Sequence, residues 1–237
     1  MEVPPIVARL AARPELAALV LDVDGTLAPI VDRPEEARVP DETRRELHRL
    51  AGRYALVACV SGRAGADAAR VVGVDGLRYV GAHGLELDPA APAWRERLVR
   101  FAETVAWPVE DKGVTLSFHY RTSPDLVAAR AFLESVAERA RAEEIDARFG
   151  RMVLELRPPL ASDKGTAVRR LLDERGLRRA LYAGDDTTDL DAFRALRDLE
   201  LGVAVAVASA EMPDALAPAA DLVVRGPAGV VELLRCL

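Results

Sequence analysis

The chain contains no asparagine and no glutamine, and only two of its 32 basic residues, Lys112 and Lys164, are lysines. The missing amides reflect either selection against thermolabile side chains or genomic composition bias, and composition leaves both open. Arginine is the generic surface cation here. Each lysine is therefore either a site that needs a compact point charge rather than a planar fork, or a leftover surface residue. Cysteine is nearly absent too: Cys59 and Cys236 form no CxxC pair and no disulfide ladder. Cys59, inside the apolar run ALVACV, reads as a small core residue. No segment approaches the roughly 20 consecutive apolar residues of a membrane span. The leading MEVPPIVARLAARPELAALV, with acidic Glu2 and no short apolar core before a cleavage site, does not read as a signal peptide. A soluble, cytoplasmic protein is expected.

What is present bounds the fold and the partners. Hydrophobic residues make up 50% of 237 residues, enough to bury a core in one domain or in a domain carrying a smaller insert. A formal net charge of −6 argues against nucleic acid and anionic membranes as partners. It also means that an anionic substrate would need a metal ion or a few placed cations to overcome the background field.

AALVLDV (17–23) is a short apolar run ending in acids and Gly25, as a buried strand should. Asp41 is predicted to cap a helix, DETRRELHRLAG, with Leu47 and Leu50 inward and Gly52 as its stop. ALVACV (55–60) is a second strand, 64–72 a helix and LRYVGAHG (77–84) a third strand. This alternation predicts an α/β fold with a doubly wound, mostly parallel sheet. The rhythm breaks in DPAAPAW (88–94). GVTLSFHYR (113–121) alternates, with Val114, Leu116, Phe118 and Tyr120 on one side. SPDLVAARAFLESVAERARAEE is an amphipathic helix with Ser123 as its cap, and RMVLELR (151–157) is another strand. Residues 88–160 are predicted as an inserted α+β domain, with 1–87 and 161–237 forming the core. In the second half of the core, Ser162 is predicted to cap DKGTAVRRLLDERG. ALYAG (180–184), LGVAVAV (201–207) and DLVV (221–224) are predicted strands, and GPAGVVELLRCL a final helix.

Four signals lie at or beside predicted strand ends, where open parallel sheets bind ligands. Asp22-Val23-Asp24-Gly25-Thr26 places two carboxylates on one side of the chain. Such a pair calls for a cation or a shared proton, unless it is an ordinary acidic turn. One acid can attack as a nucleophile and the other can carry protons. Ser61-Gly62-Arg63 offers a hydroxyl and successive N–H groups, which suits either a phosphate cradle or a helix cap. Lys164, in the first turn of its helix, opposes the macrodipole; a bound phosphate would compensate it, as would plain solvation. Gly184-Asp185-Asp186-Thr187-Thr188-Asp189 sets three acids at a strand end. One serves as ordinary capping, and another beside Asp22 and Asp24 is best explained by a magnesium ion.

In this order, DxDGT, Ser-Gly, a helix lysine and GDDxxD resemble the haloacid dehalogenase superfamily of phosphatases. The resemblance covers the whole chain, with the insert where that superfamily carries a cap domain. It implies Asp22 as nucleophile and Mg2+ ligand. Asp24 would be the general acid and base, with its main-chain carbonyl as a second ligand, and Asp185 would complete the metal site. Ser61, Gly62 and Lys164 would hold the phosphoryl group, with Asp186 and Asp189 supporting.

LDVDGTLAPI (21–30), SGR, YVGAHG (79–84), WPVEDKGVTLSFHYR (107–121), GRMVLELRPP (150–159) and DKGTAV (163–168) are similar to the trehalose-6-phosphate phosphatase family. That similarity implies hydrolysis of trehalose 6-phosphate through an aspartyl-phosphate. Glu110, Lys112 and Glu155 would grip the distal glucose; Arg63, with His83 and Arg157, would line the same cleft. Val23 and Leu190 depart from the family pattern, which usually has an aromatic residue and an acid there. A phosphatase for sucrose- or mannosyl-glycerate-type esters, a phosphomutase and a non-catalytic sugar-phosphate sensor are the alternatives. A monomer acting on a small-molecule sugar phosphate is expected.

Overall fold

The computed structural model describes residues 3–31, 33–150, 152–210 and 212–237; Met1, Glu2 and Arg151, which opens the predicted strand RMVLELR, lie outside these. The chain divides into two compact units, Met1–Gly84 with Ser162–Leu237, and Leu85–Ala161.

Along the first unit run α1 (Pro5–Ala11), β1 (Ala18–Leu21), α2 (Asp41–Ala51), β2 (Leu56–Val60), α3 (Gly65–Val72) and β3 (Arg78–Val80). The second unit holds α4 (Ala91–Ala102), β4 (Glu110–Asp111), β5 (Leu116–His119), α5 (Leu126–Ala142), β6 (Asp146–Gly150) and β7 (Val153–Arg157). The chain then returns to the first unit through α6 (Lys164–Asp173), β8 (Arg179–Gly184), α7 (Asp189–Leu196), β9 (Leu201–Ala208), α8 (Leu216–Ala219), β10 (Leu222–Arg225) and α9 (Gly226–Arg235).

The first unit is an all-parallel sheet in the order β10-β9-β8-β1-β2-β3. Its central strands are buried along their length, as helices packed on both faces require. Leu19, Leu21, Cys59, Leu181, Val203 and Val205 belong to one core cluster, and Cys59 is fully buried. Burial also pushes its thiol well up, so it is inert. β1 lies between β2 and β8, with Leu21 opposite both Cys59 and Ala183. This register brings the ends of β1 and β8 side by side, although about 160 residues separate them in sequence.

The third strand is shorter than LRYVGAHG suggested. Ala82, His83 and Gly84 take φ values of 50°, 54° and 98°, so extended backbone cannot continue past Val80 and Gly81. Caps shift as well. α6 begins with a capping box between Asp163 and Thr166 rather than at Ser162. α5 is capped by Asp125, which accepts from Val127 N and Ala128 N, rather than by Ser123. Asp41 lies inside the first turn of α2, with Pro40 before it.

The second unit is an antiparallel sheet, β4-β5-β7-β6, with its own core of Leu98, Phe101, Phe118, Leu133, Val136, Leu154 and Leu156. Each fully buried Leu or Phe there contributes about 1.5–3 kcal/mol. Leu116, Phe118 and Tyr120 are buried as the alternation required, but Val114 is only half-buried, and Thr115 and Ser117 from the other face are buried too. Among the described residues, no helix is long and apolar enough to cross a membrane.

Candidate active site

Asp22 is the first residue past β1, and its N–H still donates to Ala183 O at 2.9 Å, which holds it in the sheet's hydrogen-bond pattern. Asp185 follows β8 directly, and Asp189 opens α7 one turn later. The carboxylates of Asp22, Asp185 and Asp189 each offer an oxygen within 4.8 Å of the others. Two glycines make this approach possible. A Cβ on Gly25, which has φ +78°, would lie 2.0 Å from Asp185 Oδ2, and one on Gly184 would lie 2.2 Å from Asp189 Cγ.

Lys164 enters this cluster from the first turn of α6 and is only 3% exposed. Its Nζ lies 2.9 Å from Asp22 Oδ1 and 2.7 Å from Asp189 Oδ1. The unfavourable cation at a helix start is thus compensated by two carboxylates of the protein itself, which the sequence analysis did not foresee. Burial alone would lower the ammonium's pKa, but the charges of Asp22 and Asp189 outweigh it and hold Lys164 protonated.

Asp189 is the most heavily engaged of the three. Its Oδ1 accepts from Lys164 and, at 2.6 Å, from Tyr182 OH, while Oδ2 accepts from Asp186 N at 2.8 Å. These contacts fix Asp189 against Lys164 and leave Oδ2 one further lone pair. Asp186 caps its own turn by accepting from Thr187 N. Asp185 accepts from the Thr26 hydroxyl at 3.1 Å and shares a side-chain hydrogen bond with Asp22. Burial, then the charge of Asp189, raises Asp185 from 3.8 to about 6. Burial also raises Asp22, against the lowering field of Lys164. One lysine does not balance these acids, so the donor set fits a hard divalent cation shared by Asp22 and Asp185.

Asp24 stands apart from the acid cluster, with its side chain 40% exposed. Arg63, expected among the substrate-binding residues, pairs with carboxylates in this structure: Nε and Nη2 donate to the two oxygens of Asp24 and Nη1 to Asp67, all at 2.7 Å. Ser61 is buried, and its Oγ accepts from Arg63 N at 3.2 Å. A Cβ on Gly62 would meet the His83 ring at 2.8 Å, so this loop is packed tightly. His83 N and Ala82 N donate to Ser61 O and Arg63 O, which braces the loop from the β3 side.

The family model described as trehalose-phosphatase matches residues 20–107 and 100–221. The chain belongs to the trehalose-phosphatase family. A trehalose-phosphate phosphatase of Mycobacterium avium is 37% identical over 208 residues, covering 76% of this chain and 51% of that protein. The trehalose 6-phosphate phosphatase RA3 of Zea mays is 30% identical over 263 aligned positions, covering 96% of this chain and 71% of that one. The C-terminal domain of a trehalose-6-phosphate phosphatase from C. albicans superposes with a TM-score of 0.70 at 24% identity, covering 97% of this chain and 95% of that one, which shows the shared fold. That fold is haloacid dehalogenase-like. The chain spans 16% to 51% of the length of several curated relatives it matches.

Within the second unit of this trehalose-phosphatase family member, Glu110, Lys112 and Glu155 come together. Glu110, Ser117 and Glu155 share one row across β4, β5 and β7. Lys112 Nζ lies 3.6 Å from Glu110 Oε2 and 4.0 Å from Glu155 Oε1. His119 Nε2 is 2.7 Å from Glu110 Oε2, and Thr115 donates to Glu155 at 3.3 Å. Arg157 is buried, and its Nε and Nη2 have no hydrogen-bond partner among the described residues. Three contributors escaped the sequence analysis. Thr26 was quoted only as part of DxDGT, Tyr182 is an ordinary member of an apolar strand by pattern, and Asp67 lies inside a predicted helix with nothing to set it apart.

Proposed function

We propose that this chain hydrolyses trehalose 6-phosphate to trehalose and phosphate, with Mg2+ and through a phosphoryl group carried on Asp22. The observation that carries this reading is the meeting of Asp22, Asp185 and Lys164 at the ends of two adjacent parallel strands.

Asp22 attacks phosphorus with a carboxylate oxygen, and the bond from phosphorus to the sugar oxygen breaks. Asp24 gives a proton to that oxygen, so trehalose leaves as an alcohol and Asp22 holds an acyl-phosphate. Asp24, now a carboxylate, takes a proton from water, whose oxygen attacks phosphorus and frees both phosphate and the Asp22 carboxylate. Lys164 has three N–H donors and gives two to Asp22 and Asp189, leaving one for a phosphoryl oxygen. Ser61 and the N–H groups around Gly62 complete the cradle. Asp22, Asp185 and the main-chain carbonyl of Asp24 would hold the Mg2+ ion, which when bound neutralises charge on the transferring group.

Glu110, Lys112 and Glu155 supply the sugar side of the reading. Carboxylates accept hydroxyl hydrogens, and an ammonium donates to sugar oxygens. Their clustering in one unit supports a shared role.

The test is phosphate release across a panel of sugar phosphates, with and without EDTA. Trehalose 6-phosphate should be hydrolysed fastest, and EDTA should suppress release. A preference for sucrose- or mannosyl-glycerate-type esters would replace the substrate, and full activity in EDTA would remove the ion.

A further inference from the structure

We propose that Asp67 is a positioning residue for the proton-transferring carboxylate Asp24, acting through Arg63. The inference rests on the reading of Asp24 as the group that protonates the leaving oxygen.

Four side chains form an alternating row of charges. Arg70 donates from Nε and Nη2 to Asp67 Oδ1, at 3.0 and 2.7 Å. Asp67 Oδ2 accepts from Arg63 Nη1, and the other edge of the same guanidinium closes a two-point contact on Asp24. The guanidinium is planar, so fixing Nη1 fixes the plane in which Nε and Nη2 meet Asp24. Asp24 follows Asp22 by two residues on a turn, and Arg63 contacts both oxygens of its carboxylate, so the guanidinium sets the orientation of that group. Each Asp24 oxygen gives one lone pair to Arg63 and keeps its outward one, where a transferable proton can sit.

Helix stability alone explains only part of this. An acid in the first turn of α3 suits the macrodipole wherever it points. It does not require that Asp67 reach back four residues to a side chain that is only 12% exposed and already paired with Asp24. Hydrogen bonding to Asp24, and then to Asp67, raises the Arg63 guanidinium further, so the fork stays charged.

A general acid supplies roughly 10²–10⁴-fold in rate, and most where the leaving group is poor. Mispointing Asp24 should therefore penalise esters in proportion to the basicity of the leaving oxygen. The experiment measures kcat/KM for a series of substituted phenyl phosphates, from 4-nitrophenyl phosphate to phenyl phosphate, whose leaving phenol has a pKa of about 10. The wild-type protein is compared with Asp67→Asn and Arg63→Lys. Asparagine keeps one acceptor oxygen and cannot serve both arginines; lysine keeps the charge and loses the fork. Both variants should lose about tenfold or more on phenyl phosphate and about threefold or less on 4-nitrophenyl phosphate, giving a steeper dependence on leaving-group pKa. Circular dichroism confirms that each variant is folded, and Asp67→Glu should recover part of the wild-type slope. A uniform drop across the series, or unchanged slopes in both variants, overturns the positioning role. If the wild-type protein cleaves none of the esters, it is the phosphatase reading that fails instead.

Discussion

Asp185 should make the protein's stability respond to Mg2+ in a pH-dependent way, and the size of the response follows from its surroundings. In the ion-free site, burial and the charge of Asp189 raise its pKa from 3.8 to about 6. The folded protein therefore holds this proton more tightly than the unfolded chain does. At about 1.4 kcal/mol per tenfold, the difference is roughly 3 kcal/mol of stability. That contribution is fully present below pH 3.8 and is lost as pH rises through about 6. Above that, a divalent cation replaces the proton. At pH 5 the proton competes with it: a group with a pKa of about 6 is about ten parts protonated to one ionised. Apparent Mg2+ affinity should then be about tenfold weaker than at pH 7.5, a deficit of roughly 1.4 kcal/mol. For a chain of this size that corresponds to about 3–6 °C in Tm. Thermal unfolding followed by circular dichroism, in saturating Mg2+ or in EDTA at the two pH values, measures it directly. Asp185→Asn serves as the control: in EDTA at pH 7.5 it should be more stable than the wild type by about 1–3 kcal/mol, because it removes a charge from a crowded buried cluster. It should also lose the Mg2+ response. An Mg2+ increment that is equal at both pH values, or that survives intact in Asp185→Asn, would refute the reasoning.

Asp22→Asn should abolish phosphate release while keeping a native circular-dichroism spectrum; turnover near the wild-type rate would exclude Asp22 as nucleophile. Glu155→Ala should reduce kcat/KM for trehalose 6-phosphate about tenfold or more but leave p-nitrophenyl phosphate hydrolysis nearly untouched, as expected when hydrogen bonds to a charged group at the sugar, about 1.5–3 kcal/mol, are removed. Gly184→Ala places a methyl group 2.2 Å from Asp189 Cγ; urea unfolding should show a loss of about 1–3 kcal/mol from overpacking. Phe118→Ala, in the core of the second unit where Phe118 is fully buried, should cost about 3–5 kcal/mol by the same assay.

Much of the first unit was legible because its strands are short, continuous apolar runs, the pattern that a parallel sheet buried on both faces imposes. The meeting of residues near 22 and 185 followed from the rule that such sheets bind ligands at the carboxyl ends of their strands. Spacing alone did not say which acid does what: Asp185 and Asp189 are equivalent in GDDTTD, and it was the resemblance that set Asp185 on the ion and Asp189 in support. The contacts of Asp189 with Lys164, Tyr182 and Asp186 N join residues that no local pattern links. The carboxylate partners of Arg63 were not legible either, because a sequence does not show that Asp24 and Asp67 flank it. In the second unit, DPAAPAW looked like a bare boundary, yet α4 begins within it and buries Leu98 and Phe101. β6 was missed because DARFG is short and polar; its strand state comes from pairing with β7, a tertiary effect that local propensity does not encode.

Gly84, the last residue of the first unit before the insert, packs against the place where the chain returns. A Cβ there would lie 3.0 Å from Asp163 O and 3.3 Å from Ser162 Oγ. Departure and return are thus clasped within a single unit, and 77 residues, Leu85 to Ala161, lie between them in sequence. A graft that exchanges everything between those two residues for a short linker would leave the clasp, the parallel sheet and its acids undisturbed, since loop-closure cost grows only slowly with length. Insert length can then vary while the strand ends that carry Asp22 and Asp185 stay joined.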